Sequence, residues 1–509
     1  MAEGVWRIAV EDPSRPAVVE ATGETRTYAE LADRANRLTH GLRRVGLTTG
    51  DVVAAVLPNE ATTLALQLAA FQGGLYLVPI NTRLTAPEIA YILDDSRARA
   101  LVFSDRFAPA CRAALDSLDA APPAFSTAGA LHDLIDGVPA TRPGDRTAGA
   151  TMHYTSGTTG RPKGVRRPLS GADPDAQAER LPLFLAVFGL VPHGGGVHLA
   201  GSPLYHTAVM TFSTTSLHAG HTVVLMDGWS PEETLRLIAE RRVSTSHMVP
   251  TQFHRLLALP DDVRAAADVS SLTHVIHAAA PCPVEDKRRM LEWWGPVIYE
   301  YYAATEGGGT LVTPQEWLQR PGTVGRPWPS SDVRVEDDEG HPCPPGIPGT
   351  VWMSLGQADF EYHRDAEKTR TGRRDGFFTV GDIGYLDEDG YLFLCDRKAD
   401  MIISGGVNVY PAEIESALFA HPTVADVAVF GIPDPDWGEQ VKAVVEPAPG
   451  ASSGPELERE LIEFCRERLA GYKCPRTVDF IEAMPREPTG KLLKRKLRDP
   501  YWAAERRSI

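Results

Sequence analysis

Three features of the chain predict an α/β fold: parallel sheets flanked by helices, followed by a smaller α+β domain. Between residue 27 and about residue 250, short apolar runs alternate with helical stretches. Strands connected through helices run parallel and carry helices on both faces. Two polar, Pro- and Gly-rich stretches, 136–149 and 336–349, interrupt that alternation. Past residue 396 the pattern tightens into a compact βα alternation with a basic tail, which divides the chain into 1–395 and 396–509.

The elements follow in order. Residues 51–57 (DVVAAVL) form an apolar run of strand length, 61–71 read as a helix, and 76–79 as a second strand. Thr85 with Pro87 two positions on marks a helix start over 85–93. Residues 231–242 carry acids in the first turn and arginines in the last, the arrangement the helix dipole favours. A strand over 243–249 follows, and 336–349 (EDDEGHPCPPGIPG) read as a turn between short strands.

The 509 residues suffice for two to four folding units at about 100–200 residues each. Lys and Arg number 51 against 67 Asp and Glu, a net charge of −16. That balance argues against general attraction to nucleic acid or an anionic membrane, though not against a small anion in a locally basic pocket. Six scattered cysteines without a C-x-x-C pair read as reduced thiols. The N-terminus lacks a secretory pattern, no window approaches 18 uninterrupted apolar residues, and ERRSI is not a peroxisomal address. A cytoplasmic protein without stable membrane insertion is expected. There is no G-x-G-x-x-G, Walker A, G-x-S-x-G or H-E-x-x-H pattern, which disfavours dehydrogenases, P-loop ATPases, serine hydrolases and zinc proteases.

Residues 154–164 read YTSGTTGRPKG. Gly157, Gly160 and Gly164 permit close backbone approach, Thr155, Ser156, Thr158 and Thr159 supply hydroxyls, and Lys163 supplies a cation. Such a loop suits phosphate. Six further motifs follow it: PLYHT (203–207), HAAAP (277–281), YAATE (302–306), VGDIGYLDEDG (380–390), DRKADMIISGGVNVYPAEIE (396–415) and PTGK (488–491). In this order they resemble the adenylate-forming enzymes, which include acyl-CoA synthetases, luciferases and peptide-synthetase adenylation domains, with bacterial acyl-CoA synthetases the nearest type.

The resemblance implies a β-barrel-like subdomain and a mobile C-terminal lid hinged at Asp396. It also implies two half-reactions. A carboxylate attacks ATP to give acyl-AMP and pyrophosphate, and CoA then displaces AMP. ATP, CoA and Mg²⁺ are the expected cofactors. By resemblance, Thr155, Ser156, Gly157, Thr158, Thr159, Gly160, Lys163, Ala279, Ala280, Glu300 and Tyr301 line the nucleotide site. Tyr302 would stack on adenine, Thr305 would bond the α-phosphate, Glu306 would hold Mg²⁺, Asp382 would accept the ribose hydroxyls, and Arg397 would add a contact. Lys491 would stabilise charge growing between carboxylate and α-phosphate. Tyr205, His206 and Ala278 would line the acyl pocket. In the second orientation Ser404, Gly405, Gly406 and Trp437 would meet CoA. Without the resemblance, the run KLLKRKLR from Lys491 reads as a solvated helix face.

Two positions depart from the family pattern: Ala303 replaces glycine after the adenine tyrosine, and Val380 replaces a threonine before Gly381–Asp382. Both lie on the nucleotide side, which raises the alternative of an enzyme specialised for thioester formation from acyl-AMP made elsewhere. No acid stands in PLYHTAVM to meet a substrate ammonium, and residues 166–191 are rich in Leu, Phe and Pro, so an apolar acid is expected. Loading of a carrier protein is a further alternative. Monomer and homodimer both fit.

Overall fold

The computed structural model describes residues 4–155, 162–191, 195–329, 331–354, 359–397 (backbone alone at Arg397), 400–404, 407–487 and 492–503. They pack into two compact units. One comprises 1–248, 259–276 and 357–372; the other comprises 249–258, 277–356 and 373–509.

The first unit is built on parallel strands. Ala124–Ser126, Ala98–Phe103, Val52–Val56, Tyr76–Pro79 and Ala150–Thr151 lie side by side in one sheet, every pair parallel. In a second sheet Thr245–Met248, Val197–Ala200, Thr222–Leu225 and Pro16–Val19 also run parallel, with Thr25–Thr27 antiparallel at the end. Helix Ala61–Gln72 is apolar nearly all round and almost wholly buried, as a helix must be with sheet and helix partners on several sides. It packs with helix Tyr28–Arg44 in one large core. That second helix opens on a capping box, in which Glu30 N–H donates to Thr27 Oγ1 while Thr27 N–H donates to Glu30 Oε2. The helices expected at 85–93 and 231–242 span Ala86–Ser96 and Pro231–Arg241.

The second unit holds two mainly antiparallel sheets. One runs in the order Arg373–Arg374, Phe377–Phe378, Gly349–Ser354, Asp382–Leu386 and Leu392–Arg397, with Val333–Glu336 on the free part of Gly349–Ser354. The stretch 336–349 does connect two paired strands, Glu336 opposing Thr350. The other sheet orders Val407–Val409, Ile402–Ser404, Gly438–Pro447 and Val424–Asp434, with Thr477–Phe480 parallel to Gly438–Pro447. Helices Pro411–Phe419 and Pro455–Arg466 bury Ile414, Leu418, Leu457 and Leu461 against it. Helix Lys494–Ala503 supplies Trp502, whose indole N–H donates to Gly431 O at 3.0 Å. Among the described residues, no helix is long and apolar enough to cross a membrane.

Candidate active site

In the second unit, strand Ile298–Ala304 returns as strand Gly307–Val312, with Tyr302 opposite Thr310 and Ala304 opposite Gly307. Thr305 and Glu306 are therefore the two residues of the turn. Gly308 follows at φ +65, where a Cβ would lie 2.7 Å from Met353 Cβ, so only glycine lets the hairpin approach its neighbour so closely. Tyr302 Oη donates to Asp382 Oδ2 at 2.6 Å, which joins the adenine and ribose candidates across 80 residues of sequence. Asp382 is buried at the start of its strand; Asp382 pairs with Arg397 and Ile383 with Asp396.

The two departures look different in three dimensions. Ala303 and Val380 are both partly exposed, so neither methyl group is forced into the core. Thr379 Oγ1 accepts from Gly381 N–H at 3.1 Å, and Gly381 itself sits at φ +85. A hydroxyl thus stands one residue earlier in the chain, engaged with the backbone N–H of Gly381.

Ala278–Ala280 leave strand His274–His277, and Ala279 adopts φ +75. A side chain there costs about 1–2 kcal/mol, and such strain gathers at functional positions. Ala279→Gly relieves it at about 0.4–1 kcal/mol of added unfolded-chain entropy. The expected result is a net gain of up to about 1.6 kcal/mol, read as a raised Tm. A lowered Tm would contradict the strain.

In the first unit Lys163 begins strand Lys163–Arg166 and opposes Thr155. Its ammonium pairs with Asp365, which also caps helix Ala366–Thr371 by accepting Lys368 N–H at 3.0 Å. The hydrogen bond from Lys163 leads the causes that hold the Asp365 carboxyl below its usual range. The loop's cation thus comes with a counter-charge, which the sequence reading missed. His206 is the N-cap of helix Thr207–His218, and its ring lies 4.4 Å, centroid to centroid, from that of buried Tyr205. Phe212, from the same helix, packs with Phe184 and Phe188, both from the Leu-, Phe- and Pro-rich segment 166–191.

In the C-terminal part, Asp396 Oδ2 accepts Ala412 N–H at 2.9 Å and so ties its strand to helix Pro411–Phe419. Ser404 pairs with Gly438, which brings two CoA candidates, Ser404 and Trp437, to one edge. Trp437 is 49% exposed; Arg476 lies 5.3 Å over its ring and pairs with Asp434 at 3.1 Å. Ser156, Gly157, Thr158, Thr159, Gly160, Gly405, Gly406, Lys491 and the Arg397 side chain lie outside the described residues. Lys494 is an exception to the reading of KLLKRKLR as a solvated face, to which Arg495 and Lys496 conform. Its ammonium turns inward to Glu415 at 2.8 Å, and Glu415 also accepts Val429 N–H at 2.8 Å. One helix turn thereby gains a buried anchor.

The sequence profile of the AMP-binding enzymes matches residues 5–358, and that of the AMP-binding enzyme C-terminal domain matches residues 413–491. The chain belongs to the AMP-binding enzyme family. A fatty acid–[acyl-carrier-protein] ligase of Streptomyces coeruleorubidus is 34% identical over 98% of this chain and 96% of its own. A long-chain-fatty-acid–CoA ligase of Mycobacterium tuberculosis is 35% identical, over 97% of each. The anthranilate CoA ligase AuaEII in complex with anthranoyl-AMP superposes with a TM-score of 0.87 at 26% identity, covering 99% of this chain and 98% of that one. ATP-bound MatB of Rhodopseudomonas palustris gives a TM-score of 0.84 at 30% identity, covering 98% and 99%. This AMP-binding enzyme is an adenylate-forming, ATP-dependent acid–thiol ligase, close to the acyl-CoA synthetases.

Proposed function

We propose that the enzyme joins an apolar carboxylic acid to CoA through acyl-AMP, releasing pyrophosphate and then AMP. The observation that carries the nucleotide half is the hydrogen bond from Tyr302 to Asp382, which fixes a flat ring beside a carboxylate able to accept two ribose hydroxyls. Thr305 at the hairpin tip offers a hydroxyl to the α-phosphate. Glu306 offers the hard oxygen that Mg²⁺ prefers, and the bound ion would neutralise phosphate charge. Lys163 and the hydroxyls of its loop receive the outgoing phosphates, with Asp365 as the cation's partner when they leave. Arg397 adds a nucleotide contact.

Lys491 places its ammonium between carboxylate and α-phosphate, where negative charge accumulates in the transition state. The domain 396–509 then turns about Asp396 and exchanges Lys491 for Ser404, Gly405, Gly406 and Trp437, because each half-reaction needs different neighbours. The thiolate of CoA attacks the acyl carbon and AMP leaves.

The apolar preference rests on Phe212, in the helix that His206 begins, and on Phe184 and Phe188 packed against it. Feruloyl-CoA synthase and the fatty-acid ligases among its relatives agree with an apolar acid. Ala303 and Val380 are both partly exposed, so neither is forced against the nucleotide from a packed core, which weakens the case for a thioester-only enzyme.

A panel of linear, aromatic and polycyclic acids, with acyl-AMP and acyl-CoA measured separately by mass spectrometry, tests the reading. Both products are expected with an apolar acid. Acyl-AMP that passes only to a carrier protein would replace this reading with carrier loading. Thioester formed only when acyl-AMP is supplied would replace it with the half-reaction enzyme.

A further inference from the structure

Beneath the nucleotide residues of the second unit lies a buried cluster of charge. Lys287, from helix Val284–Trp294, is 0% exposed, and its Nζ sits 2.5 Å from Glu300 Oε2. His277, also 0% exposed, lies 3.5 Å from the same oxygen through Nε2. Glu300 itself is 7% exposed. The Lys287 ammonium also lies 4.8 Å over the ring of buried Trp317, and the His277 ring meets Phe253 edge-on at 5.1 Å. Burial raises the Glu300 carboxyl, and Lys287 pulls it back down.

The positions in the chain give this cluster its meaning. His277 is the last residue before the loop containing strained Ala279, and Lys287 lies in the helix after that loop. Glu300 stands two residues before Tyr302 on the adjoining hairpin. One carboxylate, carried by the strand that also carries Tyr302, therefore meets side chains from both flanks of the loop. A buried ion pair is a poor source of stability, because desolvation offsets most of the Coulomb attraction, and apolar replacements of like volume are often as stable. Such a pair can instead fix one arrangement of its neighbours.

We infer that Lys287, Glu300 and His277 are positioning residues for the nucleotide site: they hold the Ala278–Ala280 loop and Tyr302 in register, and the Glu300 carboxylate is not itself a nucleotide ligand. This rests on the nucleotide reading proposed above and extends it to groups buried behind the pocket.

The test compares Lys287→Met, Glu300→Leu and the double variant, with AMP affinity measured by calorimetry and stability by Tm. Lys287→Met should weaken AMP binding about tenfold, the scale of loss when site groups shift by a fraction of an ångström. The double variant should melt within a few degrees of the unaltered enzyme, as replaced ion pairs do, yet remain weak for AMP. Unchanged AMP affinity in Lys287→Met would overturn the inference, and a far larger loss in Glu300→Leu than in Lys287→Met would overturn it by making Glu300 a direct ligand. Recovery of AMP affinity in the double variant, or its failure to fold, would also overturn it and make the cluster merely structural. Absence of AMP binding by the unaltered enzyme would instead sink the nucleotide reading beneath it.

Discussion

Replacing Lys491 by alanine should abolish acyl-AMP formation while thioester formation from supplied acyl-AMP survives. The described chain on either side of Lys491 is firmly held. Arg486 grips Asp426 with two bonds, at 2.5 and 2.6 Å, and bridges to Leu492. Leu493 N–H donates to Pro485 O at 2.8 Å, and Lys494 is fixed on Glu415. In the role proposed for it, a cation delivered from so rigid a base would act on charge that develops in the first half-reaction and would have no role in the second. Loss of one such group costs roughly 10²–10³ in rate, so the defect in pyrophosphate release should be at least that large. Equal loss in both halves would refute the role. Asp426→Ala should reproduce a milder form of the same one-sided defect, because it frees one end of the base.

Acid should unfold the first unit well above the pH at which carboxylates titrate. His153, His198, His218 and His247 are buried there, and burial pushes their imidazoles down to about 4, 3, 4 and 4. His198 Nδ1 shares a hydrogen bond with Thr245 Oγ1 at 2.9 Å, and His247 stacks on Phe212 at 5.2 Å. In the unfolded chain each ring takes a proton near pH 6.5, whereas in the fold it does so only near 3–4. Between those limits the unfolded state binds more protons, so stability is complete above about pH 6.5 and falls as pH drops. Glu60, raised to about 7 by burial, works the other way and offsets about one of the four. About three net protons at ~1.4 kcal/mol per pH unit each give an upper limit near 4 kcal/mol per pH unit. That slope corresponds to a Tm falling by roughly 10 °C between pH 6.5 and 5.5. A Tm unchanged over that interval would sink the prediction.

How far the residues disclosed all this depended on distance along the chain. Strand 76–79 and the helix expected at 61–71, which spans Ala61–Gln72, were legible because apolar runs and their spacing are local properties. The Thr85 start was legible because its capping box closes within four residues. Tyr302 and Asp382 could be named only because their motifs occur in a family's order; no local physics links residues 80 apart. Asp365 beside Lys163 and Lys287 beneath Glu300 carried no signal, since a charge pair across the fold leaves no periodicity. Ala279 was invisible for a different reason: a residue other than glycine is uncommon at positive φ, and only the backbone reveals it.

The ladder that pairs Asp382 with Arg397 and Ile383 with Asp396 carries a consequence for how binding and rotation relate. A nucleotide held by Asp382 sits one rung from the proposed pivot. If its occupancy favours one lid orientation by some factor, that orientation strengthens nucleotide binding by the same factor, because linkage is reciprocal. Asp396 variants that bias the lid should therefore change AMP affinity without touching AMP, and the affinity change would measure the bias.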